Sequence, residues 1–525
     1  MFNKTADSVI ENDSLTLNIK FQDEILQEKQ ALQKEVKLNK QYEKGKLTAQ
    51  DRINLLIDTN QKFLEIGALV KHNCHNFDMQ KRLSLGDGVI TGCGKINSQN
   101  VFIASQDFLV NGGSLGYAHA EKICKLLDLA YDNLSPIVFI NDSGGARIQE
   151  GVEALAGYGK IFHNNVKSSG VIPQIAMIMG PCAGGAVYSP ALTDFIFMVK
   201  NTSYMYLTGP NVVKKVTYED VDHETLGGSS VHGGKSGVAD FVCENDADAI
   251  LKLKLLLSYL PNNCYETPKR AENFRNKKTN DDYLRNFLPE NPNQSYDIKN
   301  LIDEIVDENS FLEVKKDFAQ NIVIGFARLN GYSVGIIANQ PLFLAGCLDI
   351  DASCKAGKFI RFCDSFNIPI ISLIDVPGFL PGTNQEYNGV IIHGAKLLYA
   401  YSEATVPKIS VVIRKAYGGS YIVMNSKHLD ADFNFAWPKS ELAVMGADAA
   451  AEVLLKGKTN DIEKYDKFMN EYRNLMSPEL SASRGFIDDV IQPSETRDIL
   501  IRSLEIAMNK YNGKKLCFKH KNVPL

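Results

Sequence analysis

An internal repeat is the feature of this 525-residue chain that most constrains its fold. A short apolar run ends in Asp142, and 42 residues further on a second run ends in Gly184-Gly185. The same order recurs after Asp375, which Gly418-Gly419 follows at a distance of 43 residues. Short apolar runs that end in glycine turns are typical of buried parallel strands.

Landmarks upstream of each aspartate repeat the spacing as well. Gly113 and Gly346 each precede their aspartate by 29 residues, and Gln106 and Gln340 precede theirs by 36 and 35. Periodicity predicts helices over 120–133 and 352–365, and strands over 136–141, 173–179, 333–340, 369–375 and 408–415. Four matched spacings in one order argue against chance and predict two copies of one α/β fold.

The length alone requires more than one core. Residues 261–294 are polar, with several prolines and a cluster of charges, and this composition is typical of a linker. We therefore predict a helical N-terminal extension over 1–45, a first domain over 46–276, a linker over 277–295 and a second domain over 296–525.

Composition and charge exclude several classes of protein. The net charge of -5 and the absence of a long basic stripe argue against a nucleic-acid partner, and the short basic stretch 514–521 is interpreted as a solvated terminus. Prolines and glycines interrupt the apolar region 171–199, so we expect no membrane span. The first residues resemble neither a signal peptide nor a transit peptide, which predicts a cytoplasmic location. Neither the histidines nor the cysteines form a ligand pattern, so no metal is expected.

The two glycine pairs carry the chemistry that the repeat can offer. A strand that ends in Gly-Gly before a helix exposes backbone N–H groups that have no partner within the helix. Such groups can stabilise a developing oxyanion. Ala183-Gly184-Gly185 and Gly418-Gly419-Ser420 are candidate sites of this kind, and the turn after Asp142 offers further donors from Gly144, Gly145 or Ala146. No Walker lysine motif, GxSxG elbow or HExxH motif is present, so the chain is not expected to use ATP itself.

Long segments of both halves resemble one enzyme family. Residues 142–158 (DSGGARIQEGVEALAGY), 170–199 and 207–221 are similar to the N-terminal half of acyl-CoA carboxyltransferases. Residues 339–353, 374–400, 414–429 (RKAYGGSYIVMNSKHL) and 436–450 are similar to the C-terminal half. The chain resembles the carboxyltransferase (β) subunits of biotin-dependent acyl-CoA carboxylases, most closely the propionyl-CoA carboxylase type. The resemblance implies two tandem crotonase-like (ββα superhelix) domains, the first on the acyl-CoA side and the second on the biotin side.

The resemblance also implies a mechanism. Carboxybiotin would arrive on the carrier domain of a partner subunit and release CO2, its ureido nitrogen would take the α-proton of the acyl-CoA, and the enolate would attack CO2. Gly184 and Gly185 would stabilise the thioester oxygen, and Gly419 and Ser420 the ureido oxygen. The same resemblance implies acyl-CoA contacts at Gly144, Gly145, Ala146, Arg147 and Ala183, and a biotin-side or acyl pocket at Gly378, Phe379, Tyr417, Gly418 and Ile422.

Three positions depart from the pattern of the family. Ser420 stands where many relatives have Ala, a change that keeps the backbone donor. Ile422 stands where propionyl-type relatives often carry Asp and where acetyl- or broader-range relatives carry Ile. Because an apolar pocket change separates single methylenes by only about 1–3 kcal/mol, propionyl-CoA stays the first expectation, with acetyl-CoA and butyryl-CoA as alternatives. Asp240 stands where relatives more often have His.

The family predicts partners that the chain itself does not contain. No biotinyl-lysine motif and no biotin carboxylase domain are present, so we expect a biotin carboxylase and biotin carboxyl carrier subunit, and a homohexamer within an α6β6 holoenzyme. The alternatives are the carboxyltransferase subunit of a sodium-pumping methylmalonyl-CoA decarboxylase, a methylcrotonyl-type β subunit, and a non-catalytic scaffold that only binds acyl-CoA.

Overall fold

The computed structural model describes residues 35–272, 274, 277, 279–455, 462–510 and 518–524, and its regular structure is built around two mixed β-sheets. The strands are β1 Leu64–Ile66, β2 Val89–Ile96, β3 Gln99–Gln106, β4 Ile137–Ser143, β5 Gln174–Ala183, β6 Phe195–Val199, β7 Tyr204–Tyr206, β8 Phe241–Cys243, β9 Leu312–Val314, β10 Ile322–Leu329, β11 Tyr332–Asn339, β12 Ile370–Val376, β13 Lys408–Tyr417, β14 Phe433–Ala436, β15 Glu441–Ala443 and β16 Asp489–Val490.

The helices lie between these strands in both halves. They are α1 Glu35–Glu43, α2 Ala49–Leu56, α3 Tyr117–Asp132, α4 Val152–Ser168, α5 Tyr188–Ala191, α6 Pro210–Val216, α7 His223–Gly227, α8 Ser229–Gly234, α9 Asp246–Tyr259, α10 Asp281–Arg285, α11 Ile298–Ile305, α12 Ile350–Ser365, α13 Thr383–Tyr387, α14 Val390–Glu403, α15 Gly418–Val423, α16 Ala447–Leu454, α17 Ile462–Leu475, α18 Pro478–Ser483 and α19 Thr496–Ala507.

The two sheets have the same strand order. The first runs β1-β2-β3-β4-β5-β6-β8, with β7 paired to β5, and the second runs β9-β10-β11-β12-β13-β14-β16, with β15 paired to β13. In each sheet the first three strands are antiparallel and the remaining pairs are parallel. This correspondence confirms the duplicated α/β fold, and the strands and helices predicted from periodicity are all present.

One landmark of the repeat is displaced by a residue. Gln106 ends β3 opposite Val89, and Asn339, not Gln340, ends β11 in the equivalent position opposite Ile322. The Gln106 side chain accepts a hydrogen bond from the Asp142 N–H at 3.0 Å, and that of Asn339 accepts one from the Asp375 N–H at 3.3 Å. The side-chain amide therefore precedes its aspartate by 36 residues in both halves. In the second half the shorter Asn339 makes the bond that Gln106 makes in the first.

A β-bulge at each strand-terminal aspartate reinforces the symmetry. The register between β4 and β5 shifts between Asn141 and Ser143, and that between β12 and β13 shifts between Ile374 and Val376. Bulges re-aim the chain where they occur, often beside functional sites. Here each bulge precedes the glycine pair of its half.

A buried lysine repeats in the same way. The Lys122 ammonium on α3 donates to the carbonyl of Gly86 at 2.9 Å, and that of Lys355 on α12 donates to the carbonyls of Phe318 and Ile322, both at 2.7 Å. Burial lowers the pKa of Lys355 to about 7. Lys122 thus links α3 to the loop before β2, and Lys355 links α12 to the loop before β10.

The two halves share one hydrophobic core. Phe195 in the first sheet lies with its ring centroid 4.6 Å from that of Phe362 on α12 and 5.9 Å from that of Phe326 in the second sheet. All three rings are buried and belong to one cluster that also contains residues of α2 and α9. Burial of this apolar surface holds the halves together.

The chain termini and the predicted linker are partly outside the described residues. Helix α1 lies within the predicted extension, whose first 34 residues are not described. Helix α10, whose Leu284 is fully buried, interrupts the linker and packs on the second half. The domain boundaries remain predictions.

The prediction of a solvated C-terminus is wrong for residues 519–521, while 514–517 lie outside the described residues. The tail packs across the two halves. Its Lys519 ammonium donates to the carbonyl of Asp364, and its Asn522 amide donates to Asp194. The charged side chains of the tail predict exposure to solvent, but they bind partners that are distant in sequence and cannot be found from it.

Candidate functional site

The first glycine pair lies where β5 ends. Ala183 is the last residue of β5, and Gly184–Val187 forms a single 3-10 turn that leads into α5. Gly184 has a φ of 64°, a conformation that favours glycine. The N–H groups that begin a helical turn have no partner within it, so those of Gly184 and Gly185 are candidate donors, as predicted from the sequence.

The turn after Asp142 lies directly beside this glycine pair. A Cβ atom on Gly145, whose φ is 101°, would lie only 2.7 Å from the carbonyl oxygen of Ala183. The close approach of the two turns therefore depends on glycine at position 145. The predicted site residues 144–147 and 183–185 are thus brought together.

The structure separates the three donors that the sequence left open in this turn. The Gly144 N–H donates to the carbonyl of Gly112 at 3.0 Å, and the Gly145 N–H donates to the Ser143 hydroxyl at 3.1 Å. The Ala146 N–H has no hydrogen-bond partner among the described residues. Ala146 is therefore the candidate donor of this turn.

The Arg147 side chain is turned into the protein. Its guanidinium is buried and donates to Asp87 at 2.7 Å, to Glu150 at 2.8 Å and to the carbonyl of Ser114 at 2.8 Å. Burial raises the pKa of Asp87, and the guanidinium opposes that shift. These bonds suit Arg147 to fixing the turn.

Asp142 and Asp375, near the ends of β4 and β12, are each held by buried ion pairs and hydrogen bonds. Neither was identified as a site residue from the sequence. Asp142 is buried and pairs with Lys46 at 2.7 Å and with Arg52 at 3.0 Å. Gly180 is required beneath it, because a Cβ there would lie 1.9 Å from the carboxylate. The partners come from α2 and the loop before it, 90 and 96 residues away, so no local signal could have revealed them.

The second aspartate is clamped with different partners. Asp375 accepts from Arg414 Nε at 3.0 Å, from the Tyr296 hydroxyl at 2.8 Å and from the Lys415 N–H at 3.0 Å. The repeat thus preserves a buried, fully bonded carboxylate, while the residues that neutralise it differ between the halves.

The second glycine pair repeats the geometry of the first. Tyr417 ends β13, Gly418 has a φ of 58° and α15 begins there. A Cβ on Gly419 would meet no atom within 4 Å, so the space above this residue is open. The Ser420 hydroxyl donates to the Tyr417 carbonyl at 2.6 Å. The Ser420 N–H lies in the first turn of α15, where N–H groups have no partner within the helix, and is therefore a candidate donor.

The turn after Asp375 also matches its counterpart. Leu348 N–H donates to the carbonyl of Gly378 at 3.1 Å, and Leu380 N–H donates back to the Leu348 carbonyl at 2.7 Å. The Phe379 N–H, like that of Ala146, has no hydrogen-bond partner among the described residues. Each half therefore offers one free N–H from this turn and a glycine pair at the next strand end.

A cavity of about 620 Å³ opens beside the second glycine pair. Its volume is within the roughly 300–1,000 Å³ of typical small-molecule sites. One side is formed by Gly418, Gly419 and Ile422, and the walls further out are mostly apolar, from Leu442, Ala443, Val444, Tyr472, Leu475, Met476 and Phe486. The residues beyond position 471 were not identified from the sequence, because nothing local marks them as neighbours of Gly419.

The phenol groups near the two turns are not poised to act as bases. Burial raises the pKa of Tyr158, whose ring lies against Gly185, and raises that of Tyr421, in the cavity wall, to about 12. Burial and the hydrogen bond to Glu441 raise the pKa of Tyr417. The chemistry that this arrangement supports best is stabilisation of oxyanions by fixed backbone donors.

Neither a metal centre nor a membrane span is found in the part of the chain that the structure describes. Its His, Cys, Asp and Glu side chains form no group of three or more that could hold a metal ion. None of its helices is both long enough and apolar enough to cross a membrane.

Comparison with known proteins gives one family. Residues 40–523 match the model of the carboxyl transferase domain. The chain is 53% identical to the propionyl-CoA carboxylase beta chain of Roseobacter denitrificans, over 93% of this chain and 96% of that protein. It is 52% identical to the methylmalonyl-CoA decarboxylase subunit alpha of Veillonella parvula, over 96% of this chain and 98% of that protein.

A solved structure also matches over nearly the whole chain. The transcarboxylase 12S core, a hexamer solved with methylmalonyl-coenzyme A bound, is 48% identical and superimposes with a TM-score of 0.90 over 93% of this chain and 95% of that chain. The expectation of two tandem crotonase-like domains is confirmed by this match and by the duplicated sheets.

Proposed function

This chain belongs to the carboxyl transferase family, and we propose that it is the carboxyltransferase subunit of a biotin-dependent acyl-CoA carboxylase that converts propionyl-CoA into methylmalonyl-CoA. The observation that carries the proposal is the repetition of one donor arrangement in both halves. Carboxyl transfer from biotin to an acyl-CoA needs two oxyanions to be stabilised, and the fold provides two such arrangements.

The N-terminal arrangement is assigned to the acyl-CoA. The N–H groups of Ala146, Gly184 and Gly185 would stabilise the negative charge that develops on the thioester oxygen when the α-proton leaves. Gly145 keeps the two turns close together, and Arg147 fixes the first of them from inside. Backbone donors held in this way need no rearrangement during the reaction.

The C-terminal arrangement is assigned to biotin. Carboxybiotin, carried on a partner subunit, supplies the carboxyl group and a ureido nitrogen that accepts the α-proton. The N–H groups of Phe379, Gly419 and Ser420 would bind the ureido oxygen, and the apolar cavity beside Gly418 has room for the ring system. Ile422, which is partly exposed in the wall of this cavity, is assigned to the boundary between the biotin site and the acyl pocket; an apolar wall of this kind separates single methylenes by only about 1–3 kcal/mol.

The proposed assembly is supported by exposed apolar side chains next to both turns. Ile148 is exposed just before α4, and Val152 and Leu155 are exposed in its first turns. In the second half, Tyr387 is exposed at the end of α13 and Ile391 at the start of α14. We assign these faces to contacts between copies of the chain, N-terminal half to C-terminal half, in a homohexamer within an α6β6 holoenzyme. Biotin carboxylase and carrier functions belong to the partner, and the cytoplasm is the proposed location.

The half-reaction of the purified chain tests the proposed function. Methylmalonyl-CoA or malonyl-CoA would be offered with free biocytin, and release of the decarboxylated acyl-CoA would be followed. We expect turnover that depends on biocytin and is faster with methylmalonyl-CoA. Absence of turnover from a folded oligomer with either substrate would refute the assignment.

The decarboxylase direction is the second candidate, because the relative from Veillonella parvula is as similar as the carboxylase subunits. The half-reaction is common to both. Reconstitution with the biotin-bearing partner separates them: ATP-dependent carboxylation of propionyl-CoA supports the first candidate, and its absence with an active half-reaction supports the second.

A further inference from the structure

The two halves differ in one pair of corresponding segments. Residues 207–240 follow β7, and residues 444–488 follow β15, the equivalent strand. Each segment begins at the glycine turn of its own half. A Cβ on Gly184 would lie 3.9 Å from the Leu207 carbonyl oxygen, and one on Gly418 would lie 3.1 Å from that of Val444.

The two segments are built differently. The first contains the short helices α6, α7 and α8, whereas the second contains α16 and α17, which are longer and pack against each other, followed by the short helix α18. We call residues 444–454 and 462–475 the helical hairpin. A duplicated fold starts with equal segments at equivalent sites, so a difference here points to a difference between what the two sites receive.

The hairpin carries apolar side chains that the other described residues leave exposed. Only Ala450, Ala451 and Met469 of its two helices are buried. Val453 is 62% exposed and Leu454 is 61% exposed, while Val444, Ile462 and Leu475 are also exposed. Val453 and Leu454 are neighbours in the chain, and exposed apolar side chains that lie side by side are typical of a surface that binds another protein.

The hairpin also borders the biotin-side cavity. Tyr472, Leu475 and Met476, at the end of α17 and just after it, form the wall that faces Gly418 and Gly419. A group that enters this cavity while attached to a protein brings that protein against the hairpin. Acyl-CoA diffuses freely and needs no such surface at the other site.

We propose that the helical hairpin is the docking surface for the carrier domain that brings biotin to this chain. The inference rests on the proposed function, because it requires the C-terminal cavity to receive biotin. The occupant is a small folded domain with an apolar patch around its biotinylated lysine, since the hairpin offers apolar side chains next to the cavity entrance.

The test compares free and protein-bound biotin as substrates of the same variants. Val453→Glu and Leu454→Glu would be made in the full chain, with Leu251→Glu, which is 67% exposed on α9, as the matched control. The half-reaction would be measured with free biocytin and with the biotinylated carrier domain of the cognate partner. Neither variant position lines the cavity, so both proteins should fold and use biocytin normally.

We expect the hairpin variants to lose about tenfold or more in kcat/KM with the carrier domain and to stay within twofold of the parent with biocytin. The control should change neither value. An equal loss with both substrates, or no loss with the carrier domain, would overturn the proposal. A fall in native mass of the variants would instead assign the hairpin to contacts between copies of this chain and would likewise overturn it. If the parent itself fails with biocytin, the proposed function fails first.

Discussion

Gly419 allows the backbone chemistry to be tested separately from the fold. Replacement with Val should leave the stability unchanged, since a Cβ at this position would meet no atom within 4 Å. The side chain would occupy the space in front of the N–H groups, so we expect biocytin-dependent turnover to fall by about 100-fold or more. Turnover and the thermal unfolding midpoint of the variant would be measured together.

Gly159→Ala provides the control for that substitution. Gly159 is exposed on α4 and also has open space around it, but it lies outside both turns. Turnover should be unchanged. A Gly419→Val protein that is folded and fully active would show that the second glycine pair does not bind the ureido oxygen.

At the residue scale, the sequence predicts what is local and misses what is distant. The glycine pairs were predicted because a strand, a glycine turn and a helix follow one another along the chain. The bonds of Arg147 and the clamps on Asp142 were not, because Asp87, Lys46 and Arg52 are brought to them only by the folded sheet.

The C-terminal tail is held in place by contacts with residues that are distant in sequence. His520 pairs with Asp364 of the second half at 3.1 Å, and the Asn522 side chain donates to buried Asp194 of the first half at 2.9 Å. Burial raises the pKa of Asp194 to about 6, and the Asn522 hydrogen bond opposes that shift. The tail therefore supports a carboxylate that is costly to charge inside the protein.

Asn522→Ala should destabilise the protein in a pH-dependent way. The folded pKa of Asp194 lies above its ordinary value of 3.8, so this group favours the folded state at low pH and loses that contribution as the pH rises through about 6. Loss of the Asn522 donor should cost about 2 kcal/mol at pH 7.5, where the carboxylate is charged, and less at pH 5.

Urea unfolding at the two pH values measures this difference. Asn509→Ala, which removes an exposed amide two residues after α19, is the control and should have little effect at either pH. An Asn522→Ala cost that is equal at pH 5 and pH 7.5 would contradict the role given to Asp194.

Most elements of the fold follow from periodicity, because the central strands are apolar throughout and the helices beside them are amphipathic. The short edge strands and the hairpin do not. Strands β7, β15 and β16 have two or three residues each and owe their conformation to pairing with longer neighbours. Such elements exist only in the tertiary context.

The whole molecule leaves matched apolar helices exposed in its two halves. Ile391, on α14, is 77% exposed. Replacement with Glu should place a charge in the proposed contact between copies and lower the native mass from that of a hexamer, because a buried unpaired charge is costly. Native mass spectrometry of the variant measures this directly. Leu251→Glu serves as the control, and an unchanged hexamer of the Ile391 variant would rule this face out.

The merged interior has a consequence for the history of the gene. Phe195 of one half and Phe362 of the other pack in a single hydrophobic cluster, so each half forms part of the core of the other. A duplicated unit in this state is no longer interchangeable. If recombination replaced one half with that of a divergent relative, the core residues of the other half would have to change to match it. The two halves therefore evolve together as one unit.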